Sequence, residues 1–410
     1  VNEHDATASP VALGVNYTPR KDWFHSWVHP DWASVADDFA AISALGCDHI
    51  RIFPLWPLLQ PNRALIDDAA IANVVRMCEV AADANLNVSV DCLQGHLSSY
   101  DFLPSWVTSW HRRNLFTDPD VIDGQRALVT RLATALRELP NTTGVTLGNE
   151  FIQFAAPRHP FQHECTPAQA RDWTATLLDA AATAWSDGAH HHSFDDDLWF
   201  VDDHPFTPEL ATTLGAQTTV HSWIFMQVGP RFGRLHPALP AFARYLCELA
   251  AAWSPDPLRP IWLQEVGAPH TWIDDVDAPA FVTDTIRAVA DLPQLSAITW
   301  WCSHDVSREL ADFPALEHRL GLIDEDGTIK PTGEAFAAAA RELPTWRAAT
   351  SVADYLARPA IDVPLAPDGT NRSLASPTSE TFTEWLAAWR SPQPARLRRC
   401  PAPEGGHAPS

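Results

Sequence analysis

No Cys-x-x-Cys pair occurs among the seven cysteines, at 47, 78, 92, 165, 247, 302 and 400, and no zinc-type spacing either. An odd, scattered set points to free buried thiols in a reducing compartment. Cys92 and Cys302 lie near predicted strand ends, yet neither has an evident His and Asp partner to make it a nucleophile. No uncharged apolar run reaches the length of a membrane span. The first residues, Val1-Asn2-Glu3-His4-Asp5, lack the basic and apolar regions of a signal peptide, so the cytoplasm is the expected location. Cations are scarce: 28 Lys and Arg stand against 51 Asp and Glu, for a formal net charge of −23. Such a surface repels nucleic acid and anionic membranes, which excludes both as partners. Neutral ligands remain compatible with it.

What is present points elsewhere. A length of 410 residues at 46% hydrophobic can bury one large core or two modest ones. Eighteen Trp is a high count. Each fills a core well, and as a set they tilt towards a carbohydrate or aromatic ligand, because indole faces stack on sugar rings.

Strand and helix signals alternate along the chain. Residues 12–18, 49–56, 87–93, 143–150, 198–202, 218–225, 260–266 and 296–302 read as strands. Helical spacing fills the intervals, as in Val35, Phe39, Ile42 and Leu45. Thr166-Pro167 opens one helix with an N-cap and a proline at its first position. Eight such β/α units over roughly 330 residues predict an α/β fold, a (β/α)8 TIM barrel with long loops. A doubly wound open sheet is the rival, but it carries a glycine-rich phosphate turn after its first strand. Here Asn16-Tyr17-Thr18-Pro19 occupies that place. The barrel is expected to occupy 1–344. The Pro/Ala-rich residues 345–410 are expected to form a C-terminal extension packed on it, partly disordered past Ser391, with a short amphipathic helix through Phe382, Trp385, Leu386 and Trp389.

Two of the strand runs end at a glutamate. One is Thr143-Gly144-Val145-Thr146-Leu147-Gly148-Asn149-Glu150 and the other Pro260-Ile261-Trp262-Leu263-Gln264-Glu265. Chemistry in a (β/α)8 barrel sits at the C-terminal strand ends. Paired carboxylates across a pocket are what cleavage of a glycosidic bond requires. A partly desolvated Glu150 would hold its proton and act as general acid. Glu265 would need to stay ionised, with Arg51 supplying the positive charge. A buried Arg–Glu bridge without catalytic duty is the competing reading from position alone.

The ordered set Arg51, His96, Asn149-Glu150, His221, Glu265 and Trp301 resembles the retaining family-5 glycoside hydrolases, over residues 12 to about 342. That resemblance implies Glu150 as acid/base and Glu265 as nucleophile, about 5–5.5 Å apart, with no cofactor and no metal. One position departs: His221-Ser222-Trp223 stands where the family has His-x-Tyr, which leaves open how Glu265 is held, with Tyr17 as a candidate substitute. The stretches Gly14–Pro19, Trp23–Trp27, Phe53–Pro57 and Gln94–Ser99 look like subfamily 18 of that family. The likeness implies an exo-β-mannosidase that splits Man-β-1,4-GlcNAc, the core disaccharide of N-glycans. A β-glucosidase, an endo-β-mannanase and a non-catalytic sugar-binding barrel stay as alternatives.

Polar strand ends suggest the substrate pocket: Asn16, Asp91, Gln94, His96, Asp203, His204, Ser303, His304 and Asp305, joined by Asn149, His221 and Trp301. Hydroxyl-binding groups around one ring favour exo action on a terminal sugar. A groove built from Trp56, Trp106, Trp110, Trp223 and Trp272 would favour endo action. His190-His191-His192 and Asp195-Asp196-Asp197 are placed in a solvated loop on the face away from catalysis. Gly321–Gly327 reads as a turn rather than a calcium loop, since it lacks the Asp-x-Asp-x-Asp-Gly order. The expected partner is a small mannose-containing oligosaccharide. The sequence leaves the oligomeric state open.

Overall fold

The computed structural model describes residues 9–110 and 112–400. The N-terminal stretch tested for a signal peptide lies outside that range, as do the last ten residues. Seven parallel strands form one curved sheet: β1 Ala12–Asn16, β2 His49–Ile52, β3 Asn87–Asp91, β4 Thr142–Thr146, β6 Thr218–Ser222, β7 Ile261–Val266 and β8 Leu295–Trp301. Their order is β4-β3-β2-β1-β8-β7-β6. Residues 189–193, here β5, fill the eighth place. Ala189 N donates to Thr143 O, His191 N to Val145 O and Leu147 N to His191 O, at 2.7–2.9 Å. On the other side Ala216 N donates to His190 O at 2.9 Å. The close approach of β5 rests on Gly144, where a Cβ would stand 1.8 Å from Ala189 O.

This corrects one expectation. Residues 198–202 are not the fifth strand: Asp197–Phe200 is a short helix. The true strand carries the three histidines, and each is spent on its own partner. His190 meets Trp185 O, His191 meets Gln217, and His192 meets Ala211 O and Thr219.

The helices form where local signals say. The barrel is ringed by α1 Trp32–Ala44, α2 Asp68–Asp83, α3 Pro119–Leu136, α4 Pro167–Ala184, α5 Pro208–Thr213, α6 Ala238–Trp253, α7 Ala278–Ala290 and α8 Pro331–Arg347. Asp31, Asp67 and Asp118 cap the first three through their carboxylates, and Thr166 with Gln169 makes a capping box on α4. Asp118 starts α3 at Pro119, a proline at the first helical position. Strands covered by helices outside and by side chains inside are buried on both faces, as β2 and β7 are throughout. No helix among the described residues is long and apolar enough to cross a membrane.

Residues 360–400 hold a parallel pair, β9 Ala360–Pro364 with β10 Arg396–Cys400, and helix α9 Glu380–Trp389. The strand at 396–400 stands where fraying was expected. Its Leu397 N and the Trp385 Nε1 both donate to the buried Glu248 of α6. Arg372, 1% exposed, donates to the carbonyls of Leu198, Asp202, His204 and Phe206 and so fixes the loop after β5.

Candidate active site

Register brings the functional side chains to one level. Asn16 pairs with both Arg51 and Trp301 across β1, and His221 pairs with Glu265. Arg51 lies fully buried at the centre. Its guanidinium donates to Asp91 Oδ1 and Oδ2 (3.0 and 2.7 Å), Asn149 Oδ1 (2.7 Å), Ser193 Oγ (2.9 Å), Asn16 Oδ1 (3.2 Å) and Glu265 Oε1 (2.8 Å). A buried cation needs this degree of pairing. Asn16 and Asp91 therefore serve Arg51, and Arg51 orients Glu265.

Glu150 comes after β4 in a tight turn with φ of 42°, a left-handed conformation that strains a residue with a side chain. Gly148 permits the turn, since a Cβ there would lie 2.3 Å from Leu93 O. Glu150 Oε1 is 2.7 Å from His221 Nδ1, which is 3.4 Å from Glu265 Oε2. One oxygen of each carboxylate and one nitrogen of the ring lie within 4.8 Å of one another. So short a separation is near the about 5–5.5 Å of retaining glycosidases and well short of the roughly 6.5–9.5 Å that leaves room for a water in inverting ones.

The strand-six departure has a direct answer. Trp223 Nε1 donates to Glu265 Oε2 at 3.2 Å, so an indole N–H takes the place of the phenol. Tyr17 does not contribute, because its hydroxyl donates to Asp38 at 2.9 Å in the core.

Electrostatics sharpen the arrangement. Burial raises the pKa of Glu150, but the hydrogen bond from His221 and the positive fields of His221, His96 and Arg51 outweigh it, so the group lies below the usual carboxylate range. Burial opposes charge on His221, yet Glu265's charge and the bond to Glu150 win and raise it. Both shifts favour placing the proton of this pair on the His221 side. For Glu265 burial dominates, Glu150's charge adds to it, and the group is raised despite His221 and Arg51. The order is the reverse of the one expected from sequence, and the cause is the ring between the two carboxylates.

These groups open on a cavity of about 360 Å³. Of the expected contacts, His96, Asn149, Glu150, Trp223, Glu265 and Trp301 line it, and His221 lies beneath them, fully buried. Others do not. Trp56 is fully buried, its Nε1 on Gln60 and its ring against Trp106 and Phe151. Gln94 spends its amide on His96 O. Asp203 is exposed on the turn before His204, which is buried and accepts from Phe206 N. Ser303 bonds Thr18, and His304 is packed beside it near Asp38. Asp305 is taken by Lys330 and Gly321 N. Nor do the described residues form a tryptophan groove: of the five indoles proposed for one, Trp223 alone reaches the cavity, and Trp110 is 96% exposed elsewhere.

Sequence reasoning missed Ser98, Asp101, Gln153, Arg158, His159, Asp195, Asp196 and Glu317, all on the cavity wall. Asp195 and Asp196 come just after β5 on the catalytic face, which overturns the solvated-loop placement. Ser98 Oγ donates to Glu317 Oε2 at 3.2 Å. Burial and the charges of Glu265 and Glu150 push the Glu317 carboxyl up to about 7 against bonds from Ser98 and Trp301. Asp101 receives His96 Nδ1 at 2.9 Å and His159 Nε2 at 3.1 Å. This trio has the spacing of metal ligands. However, His159 Nδ1 accepts from Phe161 N, so its Nε2 bears the proton that it donates to Asp101 and has no lone pair for a metal. Cys92 and Cys302 are buried and their thiol pKa values are pushed up, chiefly by burial, which makes them inert. The 321–327 segment is a turn, with Asp324 Oδ1 accepting from Asp326 N and Thr328 N.

Comparison with known proteins places this geometry. A subfamily 18 protein of glycoside hydrolase family 5 from Streptomyces cattleya, solved with GlcNAc, is 44% identical, with a TM-score of 0.91 over 96% of this chain and 94% of that one. The chain belongs to that subfamily. A glutamate-to-alanine form from Bifidobacterium longum subsp. longum, solved with Man-β-1,4-GlcNAc, is 40% identical with a TM-score of 0.88, covering 95% and 91%. An exo-β-1,4-mannosidase from an Opitutaceae bacterium, at 21% identity and a TM-score of 0.76 over 96% and 70%, shares the fold. No family model and no curated protein matches. The fold is thus a (β/α)8 barrel and the chain a family-5 glycoside hydrolase.

Proposed function

We propose that the chain is a retaining exo-β-mannosidase acting on Man-β-1,4-GlcNAc or a similarly short β-mannoside. The observation that carries the reading is the Glu150–His221–Glu265 constellation at the cavity floor. Glu265, aligned by Arg51 and Trp223, attacks the anomeric carbon and forms a glycosyl ester. The leaving oxygen takes a proton from Glu150, which His221 supplies along their 2.7 Å bond. A water then gives its proton to Glu150 and its oxygen to the anomeric carbon, and Glu265 is released.

Exo action is supported by how one end of the cavity is closed. The loop after β3 carries the hairpin His96–Leu97 with Tyr100–Asp101. Its tip, Ser98 and Ser99, has positive φ at both residues, the geometry of a tight two-residue turn. It reaches the loop after β8 through Ser98–Glu317 and through Tyr100 OH on Asp312 O. Strands β1 and β2 lie between β3 and β8, so this contact walls off their side of the mouth. Mannose at the terminal position is favoured by the ligand of the 40% identical relative.

The test is hydrolysis of Man-β-1,4-GlcNAc beside 4-nitrophenyl β-mannoside and β-glucoside, with Glu150→Gln and Glu265→Ala as controls. Mannose release from the disaccharide, lost in both variants, is expected. Preference for the glucoside, or oligomers released from mannan, would move the substrate to the alternatives. Sugar affinity without turnover would leave a binding barrel.

A further inference from the structure

Strand β7 is irregular where it meets the site. Against β6, Val220 pairs with Leu263 and His221 with Glu265, so Gln264 is an extra residue in the ladder. Against β8, Leu263 pairs with Ile298 and Val266 with Trp300, again with one residue more on β7. A bulge of this kind breaks the alternation of side chains along a strand. Here it brings the consecutive Gln264 and Glu265 both to the His221 ring. Asn16 Nδ2 holds the bulge from β1, donating to Gln264 O at 3.0 Å.

The Gln264 side chain is fully buried, and its Nε2 has no hydrogen-bond partner. An apolar residue of that size would spare the orphaned donor, so packing does not account for an amide here. Its oxygen has a partner. Gln264 Oε1 stands 3.1 Å from His221 Nε2. Ser193 Oγ, which accepts from Arg51 Nη2 at 2.9 Å, stands 3.2 Å from the same nitrogen.

Which ring nitrogen carries a hydrogen is set by what faces the other. A lone pair on Nε2 would meet the Gln264 carbonyl oxygen with no hydrogen between them. A hydrogen on Nε2 satisfies that oxygen. Nδ1 is then the nitrogen turned to the reaction, 2.7 Å from Glu150 Oε1 and 3.4 Å from Glu265 Oε2. The charged groups facing the ring are Glu150 after β4, Glu265 on β7 and Arg51 on β2. Asp91 on β3 and His192 on β5 also act on it. The oxygens at Nε2 come instead from the neutral Gln264 and Ser193.

We infer that Gln264 is a positioning residue: its bulged side-chain carbonyl keeps a hydrogen on His221 Nε2, so that the proton exchanged in the reaction is the one between Nδ1 and Glu150. The inference rests on the retaining-mannosidase reading for the use of that proton, and on the bulge for its placement.

The test uses the full chain, labelled with nitrogen-15 at histidine, with His221 assigned through His221→Gln. Nitrogen-15 spectra report the hydrogen on each ring nitrogen. In the wild type Nε2 is expected to stay protonated while Nδ1 changes with pH. Gln264→Met removes the acceptor and is expected to lower the titration of the ring by about 1–2 pH units, the weight of one hydrogen bond to a charged group. Gln264→Glu strengthens the acceptor and is expected to raise it. A purely structural role would not move the two variants in opposite directions. If either variant fails to fold, the sign of the other decides, and the wild-type Nε2 signal needs no variant. The alkaline limb of kcat/KM on Man-β-1,4-GlcNAc, whose leaving oxygen needs the proton, is expected to move with the ring. An Nε2 without hydrogen in the wild type overturns the inference. So does a titration or a limb that stays put, or a rise in Gln264→Met, which would mean that the amide donates to the ring. If no mannoside is cleaved, the mannosidase reading falls and the spectra still decide the role of Gln264. If mannose is released but the spectra disagree, the role of Gln264 falls alone.

Discussion

Replacing Trp223 by Phe removes one hydrogen bond from Glu265 and keeps an aromatic ring beside Phe225 and Trp301. A hydrogen bond to a charged group contributes about 1.5–3 kcal/mol. Here it favours the ionised form of Glu265, so its loss raises the pKa by about 1–2 units. Glu265 must be ionised to attack. The acidic limb of kcat/KM reports that ionisation in the free enzyme, and in the wild type it should already lie above the ordinary glutamate value, because burial and Glu150 raise Glu265. In Trp223→Phe the limb moves up by about 1–2 pH units. The loss is about 10–100-fold well below the new pKa and shrinks towards neutral pH. The assay is 4-nitrophenyl β-mannoside hydrolysis from pH 4 to 9. A limb that does not move, or a loss of the same factor at every pH, would refute the reasoning.

Burial keeps His49 and His192 neutral, with pKa values lowered to about 4, and His204 and His304 to about 3. The unfolded chain then binds more protons below pH 6.5, so this stability is fully present above 6.5 and is lost as pH falls towards 4. Each such residue costs about 2 kcal/mol at pH 5, and the melting temperature should drop steeply between pH 6.5 and 4.5, less so in His49→Gln; a flat profile would contradict this. Arg372→Ala leaves four backbone carbonyls without their donor and should cost on the order of 3 kcal/mol, read as a lower melting temperature; a shift under about 2 °C would count against the clamp. Opening the closed end with Ser98→Gly and Glu317→Gly should let the enzyme release mannobiose as well as mannose from mannotetraose. Continued release of mannose alone would remove the wall from the account of exo action.

The strand-end chemistry was legible because it obeys the pattern that makes the barrel. Arg51, His221, Glu265 and Trp301 lie at or next to the C-terminal end of a strand, Asn149 and Glu150 come just past one, and parallel register lines such ends up at one level. The fifth strand was not legible. Leu198-Trp199-Phe200-Val201 is the more strand-like run by composition, whereas the real strand has three histidines and exists because Gly144 lets it approach β4. Misplacing it hid Ser193, Asp195 and Asp196. Glu317, Asp101 and His159 sit on long loops, where no periodicity assigns a position. The opposite error affected Trp56, His304 and Asp305: residues near a strand end can turn into the core or pair with a neighbouring loop, and the two-residue period does not separate those fates.

The central claim is that Glu265 is the nucleophile of a retaining mannosidase. The most direct measurement is mass spectrometry of the enzyme treated with a 2-deoxy-2-fluoro-β-mannosyl fluoride, which forms the glycosyl ester quickly and hydrolyses it slowly. A single 2-fluoromannosyl adduct on Glu265, absent in Glu265→Ala, is the result expected. No adduct, or an adduct on Glu150 or Glu317, would contradict the assignment.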